Sequence, residues 1–382
     1  MRKLIFYICY SVILSCNMLR NVAFFDDGVS SAVYLFACIV LAFLSFLNLD
    51  RANPRRVLLL VITTLALTAL SYFTHDTFLV TIWLVILSFK GIDFDETVRF
   101  DLAVKFVLFL LVVVLHELGL ASSKIIYDGS IMRYSMGFGN PNAFSTYIMS
   151  MVVEFLYLRR NRHRILDFII VVGSIITIFF VAGSRTQIVA IACAYLIFLI
   201  GFERIRVPTN MIIKFVIENL FAIMAVLSIV MAGIYMNNPN LMSGLDQVLS
   251  GRVHISARVI DEYGIDLIKT ESDVRELNKL TIDNQYIYIL VVDGVVVTCA
   301  CSWFMNRYLK YLSEEEKYAI YYIMIIFIIT GLVEKICLRP QYDVFLLYAS
   351  SMVYGNFLKT DKISDCGLNM NSRKGMDGKL HA

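Results

Sequence analysis

Long apolar runs alternate with short polar segments along almost the entire chain. A helix that crosses a bilayer needs about 20 mainly apolar residues, whereas open strands would leave backbone groups unpaired in lipid. The pattern therefore predicts an all-α, polytopic membrane protein with about 12 transmembrane helices in one domain over residues 1–359. The predicted spans lie at 4–19, 29–48, 57–73, 77–89, 102–119, 143–158, 165–183, 186–202, 212–235, 285–305, 318–333 and 341–358.

The composition of the chain agrees with this pattern. Of the 382 residues, 59% are hydrophobic and 17% are charged, whereas a soluble domain has roughly 45–50% apolar and about 25% charged residues. The eight cysteines lie mostly inside apolar runs, where they are expected to be small packing residues. The sequence has no HExxH motif, no clustered His/Cys set and no GxxxxGK[ST] loop. It therefore predicts neither a metal site nor ATP hydrolysis, and it assigns no cofactor.

The basic residues set the predicted orientation. Arg159, Arg160, Arg162 and Arg164 follow the sixth span, and the positive-inside rule places such a cluster in the cytoplasm. Counting spans outward from this cluster puts the N-terminus and the polar C-terminal tail, 360–382, in the cytoplasm as well. The outer face then carries the segments 120–142, 183–186, 236–284 and 334–341.

One of these outer segments, 236–284, is much longer than a connection needs. It carries both signs of charge and amphipathic runs such as LDQVLSGRVHISARVIDEYGIDLI. We expect it to form short helices over the outer mouth of the bundle. Its length also favours a functional role.

Four strings near the predicted outer ends of spans carry the candidate chemistry. They are GFGNPNAFS (137–145), GSRT (183–186), LSGR (249–252) and IDNQYIYIL (282–290). Asn140, Pro141 and Asn142 open the sixth span, and either Asn142 or Ser145 is expected to cap that helix. The free backbone amides of its first turn then form an anion site, and a plain helix cap is the alternative. Arg185 lies in a polar island between two apolar runs, as either an interfacial anchor or a ligand-binding cation.

Several cations share the predicted outer face. They are Arg133, Arg252, Arg258, Lys335 and Arg339. Guanidinium groups bind diphosphates well because their forked donors match the phosphate oxygens. Arg258 and Glu262 are four residues apart on a predicted helix, so a surface ion pair is the alternative for this arginine.

The order and common side of these strings resemble the Wzy-type repeat-unit polymerases, which belong to the O-antigen polymerase and ligase superfamily. The resemblance depends on GNPNAFS at the start of a span, a GSRT turn two spans later, and LSGR followed by DNQY. The layout, with one large outer loop in the second half, is similar as well. The resemblance therefore covers nearly the whole chain.

This resemblance implies a metal-independent membrane glycosyltransferase with a GT-C-like fold, in the bacterial inner membrane and with its active face periplasmic or extracellular. It implies transfer of a growing glycan from undecaprenyl diphosphate to the next lipid-linked repeat unit, which builds capsule, O-antigen or exopolysaccharide. Such chemistry needs cations where charge develops on the diphosphate and a base for the acceptor hydroxyl. The implied partners are the undecaprenyl-diphosphate-linked oligosaccharide, the bilayer, and the chain-length regulator and flippase of the same pathway. No nucleic acid is expected.

Matching positions carry the implied roles over to this chain. Arg185 and Arg252 match the arginines of the family's SR and GR motifs and would bind the diphosphate. Asn140 and Asn142 match the NPN motif and would shape the site. Further substrate-binding candidates are Arg133, Arg258, Asn284 and Tyr286.

The candidate base is Asp283, which stands where related ligases carry a histidine before an asparagine. This departure from the family pattern leaves His254 and Glu117 as alternatives for the base.

Two other functions remain open. An O-antigen-ligase-like enzyme would share the fold and the arginines but transfer finished glycan to a different acceptor. A flippase or transporter of lipid-linked oligosaccharides would carry polar groups at mid-depth in the bundle. The predicted spans are poor in charge, and their exceptions, Lys105 and Glu154, are expected near span ends. The sequence therefore favours an enzyme with an outer site over a transporter, and over a sensor or purely structural membrane protein.

Overall fold

The computed structural model describes residues 1–20, 27–49, 54–74, 76–128, 131–160, 165–202, 205, 208, 210–268 and 282–355. The predicted tail lies outside the described residues. The chain is mostly helical, which confirms the predicted helical class. The first helices are α1 Arg2–Met18, α2 Asp27–Leu47, α3 Pro54–Thr74, α4 Phe78–Ser88, α5 Phe94–Glu117, α6 Pro141–Leu158, α7 Ile165–Thr177 with a π-helical turn Ile178–Ala182, and α8 Arg185–Ile200. The others are α9 Met211–Glu218, α10 Leu220–Asn237, α11 Pro239–Val248, α12 Arg252–Tyr263, α13 Gln285–Val292, α14 Val295–Glu314, α15 Tyr318–Thr330 and α16 Val344–Gly355.

Within the described part of the chain, four helical segments are long and apolar enough to cross a membrane. They are Gly28–Leu47, Val57–Thr74, Ile165–Ala182 and Leu220–Asn237. Their side chains stay largely exposed, as expected for helices that face lipid. These segments support a membrane protein, while the full number of crossings stays a prediction.

Two of the predicted spans are each made of two helices. The run 212–235 breaks at Asn219, between α9 and α10. The run 285–305 breaks at Gly294, which has φ +97°. A Cβ at Gly294 would lie 2.4 Å from the carbonyl oxygen of Leu267. The amide of Val295 donates a hydrogen bond to the carbonyl of Asp266 at 3.0 Å. The chain that follows α12 therefore packs against the bundle at this break.

The directions of neighbouring helices define the two ends of the bundle. α5 and α6 are antiparallel, because Tyr157 bonds Asp95 while the rings of Phe109 and Phe144 pack 5.3 Å apart. The end where α5 and α7 finish and α6 and α8 begin carries a two-stranded antiparallel hairpin that the sequence did not predict. We call it the hairpin end. Its strands are β1 Ile125–Asp128 and β2 Ile131–Tyr134.

The long hydrophilic segment 236–284 contains two short helices, α11 and α12, which confirms the expectation of short helices there. They pack against α10 through a small apolar cluster of Met231, Met242 and Val253. Residues 269–281 of the same segment lie outside the described residues. This packing fixes the start of α12, and with it Arg252, beside the bundle.

The non-helical segment between α15 and α16, residues 331–343, lies among the helices and not outside them. Ile336 and Cys337 in this 331–343 loop are fully buried. The backbone carbonyls of Pro340 and Tyr342 accept hydrogen bonds from side chains of α1 and α6. The loop therefore meets the requirement that irregular backbone inside a helical bundle be satisfied by neighbouring protein groups.

A charged cluster lies in the bundle interior. Lys105 and Glu154 are both fully buried, and their charged groups lie 2.6 Å apart. Lys105 also lies 2.6 Å from Asp101, which is fully buried as well. Lys105 and Glu154 are the exceptions that the sequence showed among the charge-poor spans, and their place near span ends stays a prediction.

Candidate functional site

Arg133 projects from β2 into the turn that joins α7 to α8. Its Nε donates to the carbonyl of Ala182 at 2.6 Å, and its guanidinium also bonds the side chains of Asn142 (2.5 Å) and Ser184 (3.1 Å). Gly183 makes this approach possible, since its φ is +59° and a Cβ there would lie 3.4 Å from the Arg133 side chain. The arginine therefore joins the hairpin, the NPN string and the GSRT turn.

Arg252 is the centre of a second group of charges. It begins α12 directly after Gly251, whose φ is +78°. Its guanidinium lies 3.0 Å from the carboxylate of Asp283 and 3.3 Å from that of Glu334. The three side chains are only 10–14% exposed, so their interaction is weakly screened by solvent.

Glu334 links the two groups. Gln187, in the first turn of α8, hydrogen-bonds its carboxyl group. Burial is the main reason that the pKa of Glu334 is raised to about 8, and the neighbouring Asp283 raises it further, against the opposing effect of Arg252. Burial also raises the pKa of Asp283, again against Arg252. At neutral pH the pair therefore holds a proton that an ordinary exposed pair of carboxylates would have lost.

A second pair of cations, Lys335 and Arg339, lies near this carboxyl pair. Lys335 lies 4.2 Å from the ring centroid of Tyr288, and the guanidinium of Arg339 lies 5.6 Å from it. Burial, with the nearby charge of Arg339, lowers the pKa of Lys335 to about 8. Tyr288 donates a hydrogen bond to Asp76. Asp76, Asp283 and Glu334 all interact electrostatically with Lys335, so carboxyl groups already surround this pair of cations.

The structure brings together several residues that the sequence singled out. Arg133 and Asn142 are in direct contact, as are Arg252 and Asp283. Asn140 caps α6 by accepting a hydrogen bond from the amide of Asn142, so the expected cap residues, Asn142 and Ser145, were wrong by two to five positions.

Two other predicted site residues, Arg185 and Arg258, make no bond to the charges around Arg133 and Arg252 among the described residues. Arg185 is exposed at the first turn of α8 and makes none of the hydrogen bonds or ion pairs found among the described residues. Arg258 is exposed and pairs with Glu262 at 3.6 Å, which agrees with the surface ion pair considered as its alternative.

Two residues of the DNQY string serve the fold. Asn284 caps α13 through the amides of Tyr286 and Ile287, and it bonds Ser228. Tyr286 is 1% exposed, and its hydroxyl donates to the carbonyl of Ile328. The alternative bases, His254 and Glu117, are both exposed.

The sequence did not assign a role to several residues that surround Arg252 and Asp283 in the structure. Glu334 was only part of a notable outer segment, and Lys335 and Arg339 were noted for charge alone. The signal was present, because EKICLR places three charges directly after an apolar run. Asp76 and Tyr288 had no signal that could have paired them, since they are 212 residues apart.

Comparisons with known proteins do not assign a family. No protein-family model matches the chain, no curated protein matches its sequence, and no solved structure matches its fold. The site must therefore be interpreted from its own chemistry. It combines four cationic side chains with three carboxyl groups at the hairpin end of a helical bundle. Groups of this kind bind polyanions and hold or move protons.

Proposed function

We propose that this protein is a membrane glycosyltransferase that polymerises undecaprenyl-diphosphate-linked repeat units into a surface or secreted polysaccharide. The observation that carries the proposal is the contact of Arg252 with both Asp283 and Glu334, close to Arg133 and the NPN and GSRT strings. In this proposal the bundle has the GT-C-like, roughly twelve-span layout of a bacterial inner-membrane protein. Both termini are cytoplasmic, and the hairpin end faces the periplasm or the exterior.

The two cationic groups suit a reaction between two lipid-linked substrates. Each substrate carries a diphosphate, and the chain offers two pairs of cations, Arg133 with Arg252 and Lys335 with Arg339. Arg252 now neutralises Asp283 and Glu334. A diphosphate that takes over this guanidinium would leave a carboxylate without its cation and so raise the proton affinity of that carboxylate. Donor binding would thereby strengthen the base.

In the chemical step the carboxyl pair accepts a proton, and the guanidiniums stabilise the charge on the leaving group. The acceptor hydroxyl attacks the anomeric carbon of the donor sugar, a new glycosidic bond forms, and the bond between that carbon and the diphosphate oxygen breaks. The hydroxyl proton passes to a carboxylate of the Asp283–Glu334 pair. The guanidiniums stabilise the negative charge that develops on the departing undecaprenyl diphosphate. The sugar–diphosphate bond supplies the driving force.

An apolar groove supports a lipid-linked substrate. It has a volume of about 740 Å³ and runs between α5, α6 and α7. Its walls include Phe106, Phe109, Ile148 and Thr177. α7 continues from this groove to Ala182, whose carbonyl accepts from Arg133. An isoprenoid chain in the groove would therefore have its head group near the cationic cluster.

A second candidate function is transport of a lipid-linked oligosaccharide across the membrane. It is favoured by the fully buried Asp101, Lys105 and Glu154, because ionisable groups inside a bundle are typical of transport pathways. A ligase-like transfer of finished glycan would use the same cationic cluster as the polymerase.

The test is glycan analysis in a host strain from which the gene has been deleted and then restored as variants. Arg252→Lys keeps the charge but loses the forked donors. We expect it to abolish the polymer ladder and cause single repeats to accumulate, at an unchanged protein level. Arg258→Gln, on the exposed face of α12, is the matched control and should leave the ladder intact.

The same experiment separates the alternatives. Repeats trapped on the cytoplasmic lipid after gene deletion would indicate a flippase. Full-length polymer that stays on its lipid carrier would indicate a ligase. A normal ladder from Arg252→Lys would refute the proposed site.

A further inference from the structure

The buried cluster of Asp101, Lys105 and Glu154 makes contacts that reach beyond its own two helices. Lys105 lies between the two carboxyl groups, at 2.6 Å from each, and donates to the hydroxyl of Ser150 at 3.0 Å. Asp101 accepts a hydrogen bond from Tyr10 of α1 at 2.9 Å. The side chains of Asp101, Lys105 and Glu154 have no exposed surface, so each depends on the others for compensation of its charge.

Two hydroxyl groups of this network hold the 331–343 loop. Tyr10 lies 3.2 Å from the carbonyl oxygen of Pro340, and Ser150 donates to the carbonyl oxygen of Tyr342 at 2.7 Å. Each hydroxyl thus contacts the charged cluster on one side and the loop backbone on the other. These carbonyls belong to non-helical backbone inside the bundle, where lost partners are costly.

The same loop carries three charged residues of the candidate site, Glu334, Lys335 and Arg339. Glu334 contacts Arg252, while Lys335 and Arg339 pack against Tyr288. Between these residues and the anchored carbonyls the chain makes tight turns, with Tyr342 and Asp343 donating to the carbonyl of Arg339 at 3.0 and 2.9 Å. A shift of the anchored carbonyls would therefore move Arg339 directly.

We infer that the cluster of Asp101, Lys105 and Glu154 is a positioning device that fixes the 331–343 loop through Tyr10 and Ser150. It sets the placement of Glu334, Lys335 and Arg339 without touching a substrate. Only the catalytic consequence of this inference rests on the proposed glycosyltransferase function. The mechanical part concerns the loop alone.

Hydroxyl deletions test this better than charge deletions, because Lys105→Met would leave buried carboxylates unpaired and could prevent folding. The test variant is Tyr10→Phe combined with Ser150→Ala. The matched control is Tyr7→Phe combined with Ser145→Ala. Tyr7 bonds Thr97 of α5, and Ser145 bonds the carbonyl of Pro141, but neither bond reaches the loop.

The readout is amide hydrogen exchange of the full-length protein in lipid nanodiscs. Each hydroxyl shares its one proton between a buried carboxylate and a loop carbonyl. Loss of both hydroxyls should therefore speed exchange at the loop amides of Arg339, Tyr342 and Asp343 by roughly ten-fold over the control variant. Exchange in α5 and α6 and the thermal midpoint should match those of the control. Equal loop exchange in the test and control variants would overturn the inference.

Glycan analysis of the same variants then separates the two proposals. Faster loop exchange with a polymer yield reduced at least about tenfold would connect the loop to catalysis. Faster loop exchange with a normal polymer yield would overturn the catalytic part of the inference. If the native protein makes no polymer while the exchange result holds, the proposed function fails and the mechanical inference stands.

Discussion

The raised pKa of Glu334 predicts an unusual dependence of stability on pH. The pKa rises from 4.5 to about 8 on folding, about 3.5 pH units, chiefly because the group is buried. The folded state therefore binds this proton more tightly than the unfolded state does. The contribution to stability is fully present below about pH 4.5 and is lost as the pH rises through about 8.

The size of this effect can be bounded from the same shift. At about 1.36 kcal/mol per pH unit, 3.5 units correspond to a ceiling of about 5 kcal/mol. Water entry and side-chain rearrangement lower the cost of ionising a buried group. We therefore expect the native protein to lose about 2 kcal/mol of stability between pH 5 and pH 8.

Glu334→Gln isolates this contribution, because the amide resembles the protonated carboxyl group and does not ionise. Thermal unfolding in nanodiscs should show the midpoint of the native protein falling by several degrees from pH 5 to pH 8, and the variant should lose most of that fall. Glu96→Gln, which changes a half-exposed carboxyl group paired with Lys3, is the control and should keep the native slope. Readings stop at pH 8, because the lowered pKa of Lys335 adds stability as the pH rises from about 8 toward its ordinary value.

A single outcome would refute this reasoning. If Glu334→Gln and the native protein show the same slope between pH 5 and pH 8, then Glu334 does not hold the extra proton. The argument for a protonated carboxyl pair beside Arg252 would then fail as well.

Three further predictions follow from particular contacts. Arg133→Gln should abolish polymer formation on glycan gels, because Arg133 bonds Asn142 and Ser184. Arg185→Gln should leave at least half of the polymer, because Arg185 makes neither bond. The opposite ranking of the two variants would contradict the observed geometry. Gly294→Ala should lower the thermal midpoint, at a cost of about 2 kcal/mol or more, because its Cβ would meet the carbonyl of Leu267; an unchanged midpoint would count against this backbone contact. Arg339→Gln should weaken binding of undecaprenyl diphosphate at one of two sites, seen by native mass spectrometry as loss of the second bound lipid, and Arg307→Gln, whose guanidinium packs on Trp303, is the control.

Local patterns explain how much of this fold could be predicted. Apolar runs gave the helices, and Asn140 marked the start of α6 because asparagine followed by proline is a typical helix start. The breaks at Asn219 and Gly294 were missed because each lies inside an apolar stretch, where hydropathy does not register a change of direction. The backbone of Leu267 lies against Gly294, and this contact between distant residues is invisible in the local sequence.

The candidate site was partly predictable for the same reason. Arg252 and Asp283 were identified from separate strings, and the sequence could place both on one face but could not pair them. Arg133 and Arg185 flank the same turn, yet Arg133 fills it because β2 directs its side chain toward Ala182. A motif match alone favoured Arg185, because a short motif records which residues occur in a turn but not which side chain packs into it.

The 331–343 loop connects the buried charged cluster of α5 and α6 to the candidate site. Irregular backbone inside a helical bundle requires polar partners, and here α1 and α6 supply them through Tyr10 and Ser150. Those hydroxyls are in turn oriented by Asp101 and Lys105, whose burial is tolerated because their charges oppose each other. A loop held in this way can present Glu334 to Arg252 without a helix to support it. The buried charges therefore need no transport pathway to explain them, and this weighs in favour of the polymerase over the transporter.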